Sequence, residues 1–111
     1  MYTYNVKEIV KIYDGDTITV SIRLGFNITT KQTFRLANID TPEIKGDERP
    51  DGIISRDWLR ERLSKAMENN GIVIKTYKDT KGKYGRYIAE IFVDGVNINK
   101  QLLAEGLASV Y

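Results

Sequence analysis

Residues 17–24, TITVSIRL, alternate polar and apolar without a break. A period of two places Ile18, Val20, Ile22 and Leu24 on one side of an extended chain, the pattern of a strand with one face in a core. This is the clearest strand in the sequence, and the segments around it repeat its character. Residues 6–13, VKEIVKIY, are rich in β-formers and lead into Asp14-Gly15, a dipeptide suited to a tight hairpin turn because both residues tolerate positive φ. Residues 31–39, KQTFRLANI, read as a third strand that turns Phe34 and Leu36 inward and leaves Arg35 on the opposite face.

From 53 to 69 the spacing becomes helical, with Ile54, Trp58, Leu59, Leu63, Ala66 and Met67 in one apolar stripe and Asn70-Gly71 as the stop. Residues 71–78 and 86–95 read as two further strands, joined by DTKGKYG and ended by a turn at Asp94-Gly95. A last short helix is expected from Asn97, carrying Ile98, Leu102 and Leu103 and capped by Gly106. Three strands, a helix, two strands and a helix predict a mainly β fold of the α+β class. The expected architecture is a five-stranded OB-type barrel with a helix between strands 3 and 4 and a short helix at the C-terminus. The competing four-stranded α+β sandwich would leave one strand as an unpaired edge. With 111 residues, 41% of them hydrophobic, the chain has enough for one core and too little for two, so a single domain over 1–111 is expected.

Composition narrows the chemistry. The chain contains no histidine and no cysteine. Imidazole bases, Ser/His and Cys/His triads, thiolate metal sites and disulfides are therefore excluded, and catalysis would have to use carboxylates, arginine, lysine, tyrosine or a hard metal. Seventeen basic against 15 acidic residues leave a net charge of +2. Nucleic-acid binding would thus be a local property and not one of the whole surface. The opening MYTYNVKEIV lacks a secretory pattern, and no run approaches the ~20 apolar residues of a membrane span. A cytoplasmic monomer without a membrane partner is the expectation, and a cropped secreted domain would read the same.

Asp16 shares the parity of Ile18 and Val20, so its carboxylate points inward at the first position of its strand, where it needs a partner. Asp40 closes the neighbouring strand region. The proline after Thr41 stiffens the backbone and favours a fixed direction for the Thr41 carbonyl. Two carboxylates, a carbonyl and waters make an oxygen shell suited to Ca²⁺ or Mg²⁺. Asp14 reads as turn chemistry. Beside a metal, Glu43 is the candidate to orient or deprotonate a water. Arg35 and Arg86, ordinary surface residues if taken singly, would together clamp a phosphodiester's oxygens bidentately.

YDGDT (13–17), FRLANIDTPE (34–43), KYGR (83–86) and GLASVY (106–111) occur in this order across nearly the whole chain. This combination resembles the staphylococcal (micrococcal) nuclease family. The resemblance implies an OB barrel and Ca²⁺-dependent hydrolysis of DNA and/or RNA to 3'-phosphate ends, with single strands the preferred substrate. It implies that Asp16, Asp40 and the Thr41 carbonyl hold calcium, that Glu43 serves the attacking water, and that Arg35 and Arg86 grip the scissile phosphate. Lys83 and Tyr84 match positions that contact the nucleotide's other phosphate. The chain departs from the family in carrying Gly82 where an aspartate is frequent, and in stopping at Tyr111, which would stack on a base only approximately. The alternative is a non-catalytic OB-fold module that binds single strands through Tyr77, Tyr84, Tyr87 and nearby lysines.

Overall fold

The computed structural model describes residues 2–69, 71–78 and 87–111. The alternating segment forms β2 (Thr17–Gly25), which pairs antiparallel with β1 (Tyr2–Asp14) on one side and β3 (Ile28–Leu36) on the other. The free edge of β1 takes β5 (Val73–Lys78), and β5 takes β6 (Tyr87–Val93), both antiparallel. The sheet closes because β6 also pairs, in parallel, with the end of β3, Phe34 opposite Tyr87 and Leu36 opposite Ala89. This is the five-stranded closed barrel expected of the element order, and its closure removes the sandwich alternative.

Closure requires curvature, and β1 supplies it. Its register against β2 shifts three times, between Val6 and Glu8, Ile9 and Lys11, and Ile12 and Asp14. Each irregularity bends the strand and resets which side chains point inward. Val6, Ile12, Ile18, Val20, Ile22, Phe34, Leu36, Ile74, Ala89 and Ile91 fill the interior. Leu24, expected inside by parity, is instead 45% exposed, because β2 runs past the barrel rim into a projecting turn at Phe26-Asn27.

Between β3 and β5 the chain makes a two-residue strand, β4 (Ile39–Asp40), a 3-10 turn at Gly46–Glu48 and the helix α1 (Arg49–Glu68). The helix starts four residues earlier than its apolar spacing indicates, because Pro50 in the first turn presets the helical φ and needs no N–H partner. Its buried face is Gly52, Ser55, Leu59, Leu63 and Ala66; Trp58 and Met67 are partly buried, and Ile54 is exposed. Gly71, at φ 83°, ends it by donating its N–H to the Ala66 carbonyl at 2.7 Å.

After β6 the turn at Asp94-Gly95 has both residues at positive φ, the hairpin geometry this dipeptide favours. It leads through β7 (Val96–Asn97) into α2 (Ile98–Ala104), whose N-cap Asn97 accepts from the Lys100 N–H. Buried Asn99 staples α2 to the barrel by donating to the Ala37 and Ala89 carbonyls, both at 3.0 Å, and accepting from the Ile91 N–H at 3.1 Å. A final strand, β8 (Ser109–Val110), pairs with β4. Among the described residues no helix is long and apolar enough to cross a membrane.

Candidate active site

The β1–β2 turn, the end of β3 and the β4 segment converge at one end of the barrel. Gly15 lets them meet: a Cβ there would lie 2.7 Å from Thr41 Cγ2 and 3.0 Å from Ser55 Cβ. Positive φ is not the reason for this glycine, since neither Asp14 nor Gly15 adopts it. The close approach is what excludes a side chain.

Asp16 is 7% exposed, as its parity indicates. Its Oδ2 accepts the Thr41 N–H at 3.1 Å, its Oδ1 accepts the Thr17 hydroxyl at 3.2 Å, and its carbonyl accepts the Leu36 N–H at 2.7 Å. A carboxylate accepts about four hydrogen bonds, so Asp16 keeps lone pairs for a further partner. Arg35, directly across from Thr17 in the β2–β3 ladder, sends one guanidinium nitrogen toward both acids. Its Nη2 is 3.3 Å from Asp40 Oδ1 and 3.7 Å from Asp16 Oδ2. Its Nη1 donates to the Ile39 carbonyl at 3.1 Å and the Leu36 carbonyl at 3.4 Å. These contacts lock the fork, and the Nε–H, which donates to none of the described residues, is left for an external acceptor.

Asp40 differs from Asp16 in being 57% exposed at its side chain. The β4–β8 ladder and a 3.4 Å contact from the Ser109 hydroxyl to the Asp40 carbonyl fix its backbone. The same ladder brings the C-terminal residue to the site: the Tyr111 N–H donates to the Asn38 carbonyl at 3.2 Å, and the Arg35 Cζ lies 4.3 Å from the Tyr111 ring centroid. A cleft of about 360 Å³ opens beside Asp40 and Thr41, walled by Glu48 and residues 106–109.

Glu43 is exposed, and its N–H donates at 2.9 Å to Oε2 of Glu48, a residue of the cleft wall. Its backbone is held by the helix: a Cβ on Gly52 would come within 2.2 Å of the Glu43 carbonyl oxygen. Asp14 Oδ1 accepts the Asp16 N–H at 3.0 Å, which is the turn role its sequence suggests. Burial, and then the neighbouring Asp16 carboxylate, push the Asp14 carboxyl up to about 6.

The structure therefore brings Asp16, Arg35, Asp40, Thr41 and Tyr111 together, and ties the backbone of exposed Glu43 to Glu48 in the cleft wall. Arg86, Lys83 and Tyr84, and with them Gly82, lie outside the described residues. Tyr77 is turned to other work, its hydroxyl hydrogen-bonded to Glu90 Oε1 at 2.7 Å. Gly15, Gly52 and Ser55, whose hydroxyl donates to the Leu107 carbonyl at 2.7 Å, position the site without having been singled out by its chemistry. The signal available for Gly52 is a glycine inside a helix, which usually has a packing reason.

All the oxygens offered here are hard donors, which fits a hard divalent cation better than a soft one. A second observation agrees: the buried Thr41 Oγ1, beside these acids, has no hydrogen-bond partner among the described residues. A cation's hydration shell would satisfy such an atom.

Comparison with known proteins bears on the same region. A family model described as staphylococcal nuclease homologue matches residues 33–111. An uncharacterised protein of Methanocaldococcus jannaschii is 30% identical over 125 residues, covering 94% of this chain and 58% of its own length. Endonuclease YncB of Bacillus subtilis is 33% identical over 117 residues, covering 98% of this chain and 52% of that protein. The thermonuclease of Staphylococcus hyicus is 29% identical over 104 residues, 91% of this chain and 56% of that protein. The chain spans about half the length of these relatives.

Proposed function

We infer that this chain, which belongs to the staphylococcal nuclease homologue family, is a nuclease that hydrolyses phosphodiester bonds of DNA and/or RNA with Ca²⁺ as cofactor, leaving 3'-phosphate ends. The observation that carries the reading is the Arg35 guanidinium set between Asp16 and Asp40, the second of which lines an open cleft. The relatives add support, since two of them are an endonuclease and a thermonuclease.

Asp16, Asp40 and the Thr41 carbonyl are the groups that would hold the cation. When bound, Ca²⁺ supplies the charge that turns an acid-rich cleft from repelling a phosphodiester to attracting it, and it polarises the phosphoryl oxygen. Arg35 is already oriented by three hydrogen bonds, so it meets the phosphate without a further loss of side-chain freedom. Its remaining Nε–H donates to a non-bridging oxygen, where charge grows as phosphorus becomes five-coordinate. Glu43 stands at the solvent edge and accepts a proton from the attacking water. The water oxygen bonds to phosphorus as the bond from phosphorus to the 5'-oxygen breaks, and the departing oxygen takes a proton from solvent, with Arg86 the residue assigned to steady its charge. Lys83 and Tyr84 bind a neighbouring phosphate, and Tyr111 supports Arg35 from beneath.

The test is incubation of the protein with single- and double-stranded oligonucleotides, with calcium and with chelator, followed by analysis of product ends. Calcium-dependent cleavage leaving 3'-phosphate is expected. Binding that survives chelator without any strand scission in calcium would replace this reading with that of a non-catalytic single-strand binder.

A further inference from the structure

At the opposite end of β2 from Asp16 the described residues leave the barrel mouth open. Tyr2, Tyr4, Leu24, Gln32, Phe34 and Tyr87 line a groove of about 230 Å³ across the barrel mouth. All of these sit at inward-facing positions of their strands, yet Tyr2 is 69%, Tyr87 49% and Leu24 45% exposed. The rings of Tyr2 and Tyr4 lie 6.4 Å apart, inclined by 31°. A core that merely needed closing would bury such residues.

Size and charge identify the occupant. The groove is smaller than the ~300–1,000 Å³ that encloses a drug-sized ligand, so it suits base-sized rings laid on aromatic faces and left partly in water. Lys78, on the same face, is the cross-strand partner of Tyr87. Residues 17–39, which include both strands of the projecting hairpin, contain no acid that would repel a phosphate; their Arg23 and Lys31 lie, like Arg35, at outward-facing positions. Gln32, bonded through Nε2 to the Thr30 hydroxyl at 3.1 Å, keeps its amide oxygen for a base edge.

The groove also connects with the site described above. β3 pairs with β6 only from Phe34 onward, so the edge of residues 28–33 away from β2 stays open among the described residues. A strand gripped at Arg35 reaches the groove by crossing that edge. Phe34 and Tyr87 form the near wall of the groove, and Thr30, on its far wall, is five residues from Arg35, about 17 Å at 3.3 Å per residue. That distance corresponds to roughly five stacked nucleotides.

We propose that the barrel-mouth groove is a second substrate contact, which stacks unpaired bases of a single strand whose scissile phosphate lies at Arg35. It rests on the nuclease reading for the position of that phosphate but not for the binding itself. The prediction is a length dependence that the cleft alone would not produce: a strand of three nucleotides held at Arg35 cannot reach the far wall of the groove, and one of twelve can.

Tyr2→Ser combined with Leu24→Ser, and separately Lys78→Glu, alter exposed positions, and thermal melts establish that both variants fold. With calcium, KM for a twelve-nucleotide oligothymidylate should rise about ten-fold in each, while KM for the trinucleotide and kcat for both stay at parental values. Equal effects on the two lengths, or none, overturn the proposal. Anisotropy of the labelled twelve-mer in chelator gives an independent readout. Parental binding that weakens about ten-fold in both variants supports the groove even if no oligonucleotide is cleaved, whereas absent or unchanged binding overturns it. Loss of cleavage with groove binding intact would sink the nuclease reading alone.

Discussion

The Arg35 guanidinium carbon lies 4.3 Å from the centre of the Tyr111 ring, so the last residue of the chain supports the cation that bridges Asp16 and Asp40. A short β4–β8 ladder, only two residue pairs long, produces this contact. At a partly exposed site a cation–π contact is worth about 0.5–1 kcal/mol. Tyr111→Ala should therefore lower kcat/KM about two- to five-fold, and Tyr111→Phe, which keeps the ring, should stay near the parental value. Steady-state kinetics on one oligonucleotide compare the two. Equal losses would assign the effect to the hydroxyl and not to the ring.

Arg35 itself carries far more. Removing a preorganised charged donor from a phosphoryl-transfer site costs about 10²–10³ in rate, and Arg35→Ala should show a loss of that order. Arg35→Lys should recover little, because a point charge cannot hold the Ile39 carbonyl, the Asp40 carboxylate and a phosphate oxygen from one planar fork. The fold should survive, since Asp16 keeps the Thr41 N–H and the Thr17 hydroxyl. Circular dichroism and turnover measured together check both statements.

Gly52→Ala tests how Glu43 is placed. Alanine is the better helix former by about 1 kcal/mol, so propensity alone predicts a gain in stability. The added Cβ would sit 2.2 Å from the Glu43 carbonyl oxygen and 2.8 Å from that of Pro42, both backbone atoms, and one side must move. The expected result is a lower melting temperature and, from displacement of about an ångström at Glu43, a fall in kcat of around 10². A variant as stable and active as the parent would mean that the 42–43 segment yields freely.

What the sequence reveals here follows from how local each signal is. The alternation of 17–24 gives β2 and the inward direction of Asp16, and Asp94-Gly95 gives a turn whose positive φ values the structure shows. Leu24 breaks the rule because alternation reports a face and not where the barrel ends. Ile54 breaks it because the first turns of α1 bury the side of Gly52 and Ser55, which press against the 42–43 backbone and Gly15 more closely than a large side chain would allow. The β4–β8 pairing has two residues on each side and joins segments about 70 positions apart, so it leaves no periodicity to read. Asn99 reads as a helix-start polar residue, and its three buried hydrogen bonds depend on tertiary neighbours. Asp16 and Asp40 were legible as a pair because parity and a strand end place them. That Arg35 would sit between them was not, since its strand position gives only the face from which it starts.

The acid beside this cluster predicts a distinctive response to pH. Burial first, and the Asp16 carboxylate second, raise the Asp14 carboxyl from 3.8 to about 6. Between roughly pH 4 and pH 6 the folded chain then keeps a proton that the unfolded chain has released. Stability contributed by this group is accordingly greatest below pH 4, falls as pH rises through that window, and stays low above it. Asp14→Asn retains an oxygen for the Asp16 N–H, now bonded at 3.0 Å, and carries no charge to desolvate. In chelator, the variant should be more stable than the parent at pH 7, and the difference between them should shrink steadily as pH is lowered from 6 to 4. Urea melts of both chains across that range supply the measurement, and subtracting one curve from the other cancels the titration of carboxylates that do not interact with Asp14. A constant difference across the window would mean that Asp14 ionises in its ordinary range and is not burdened by its place behind Asp16.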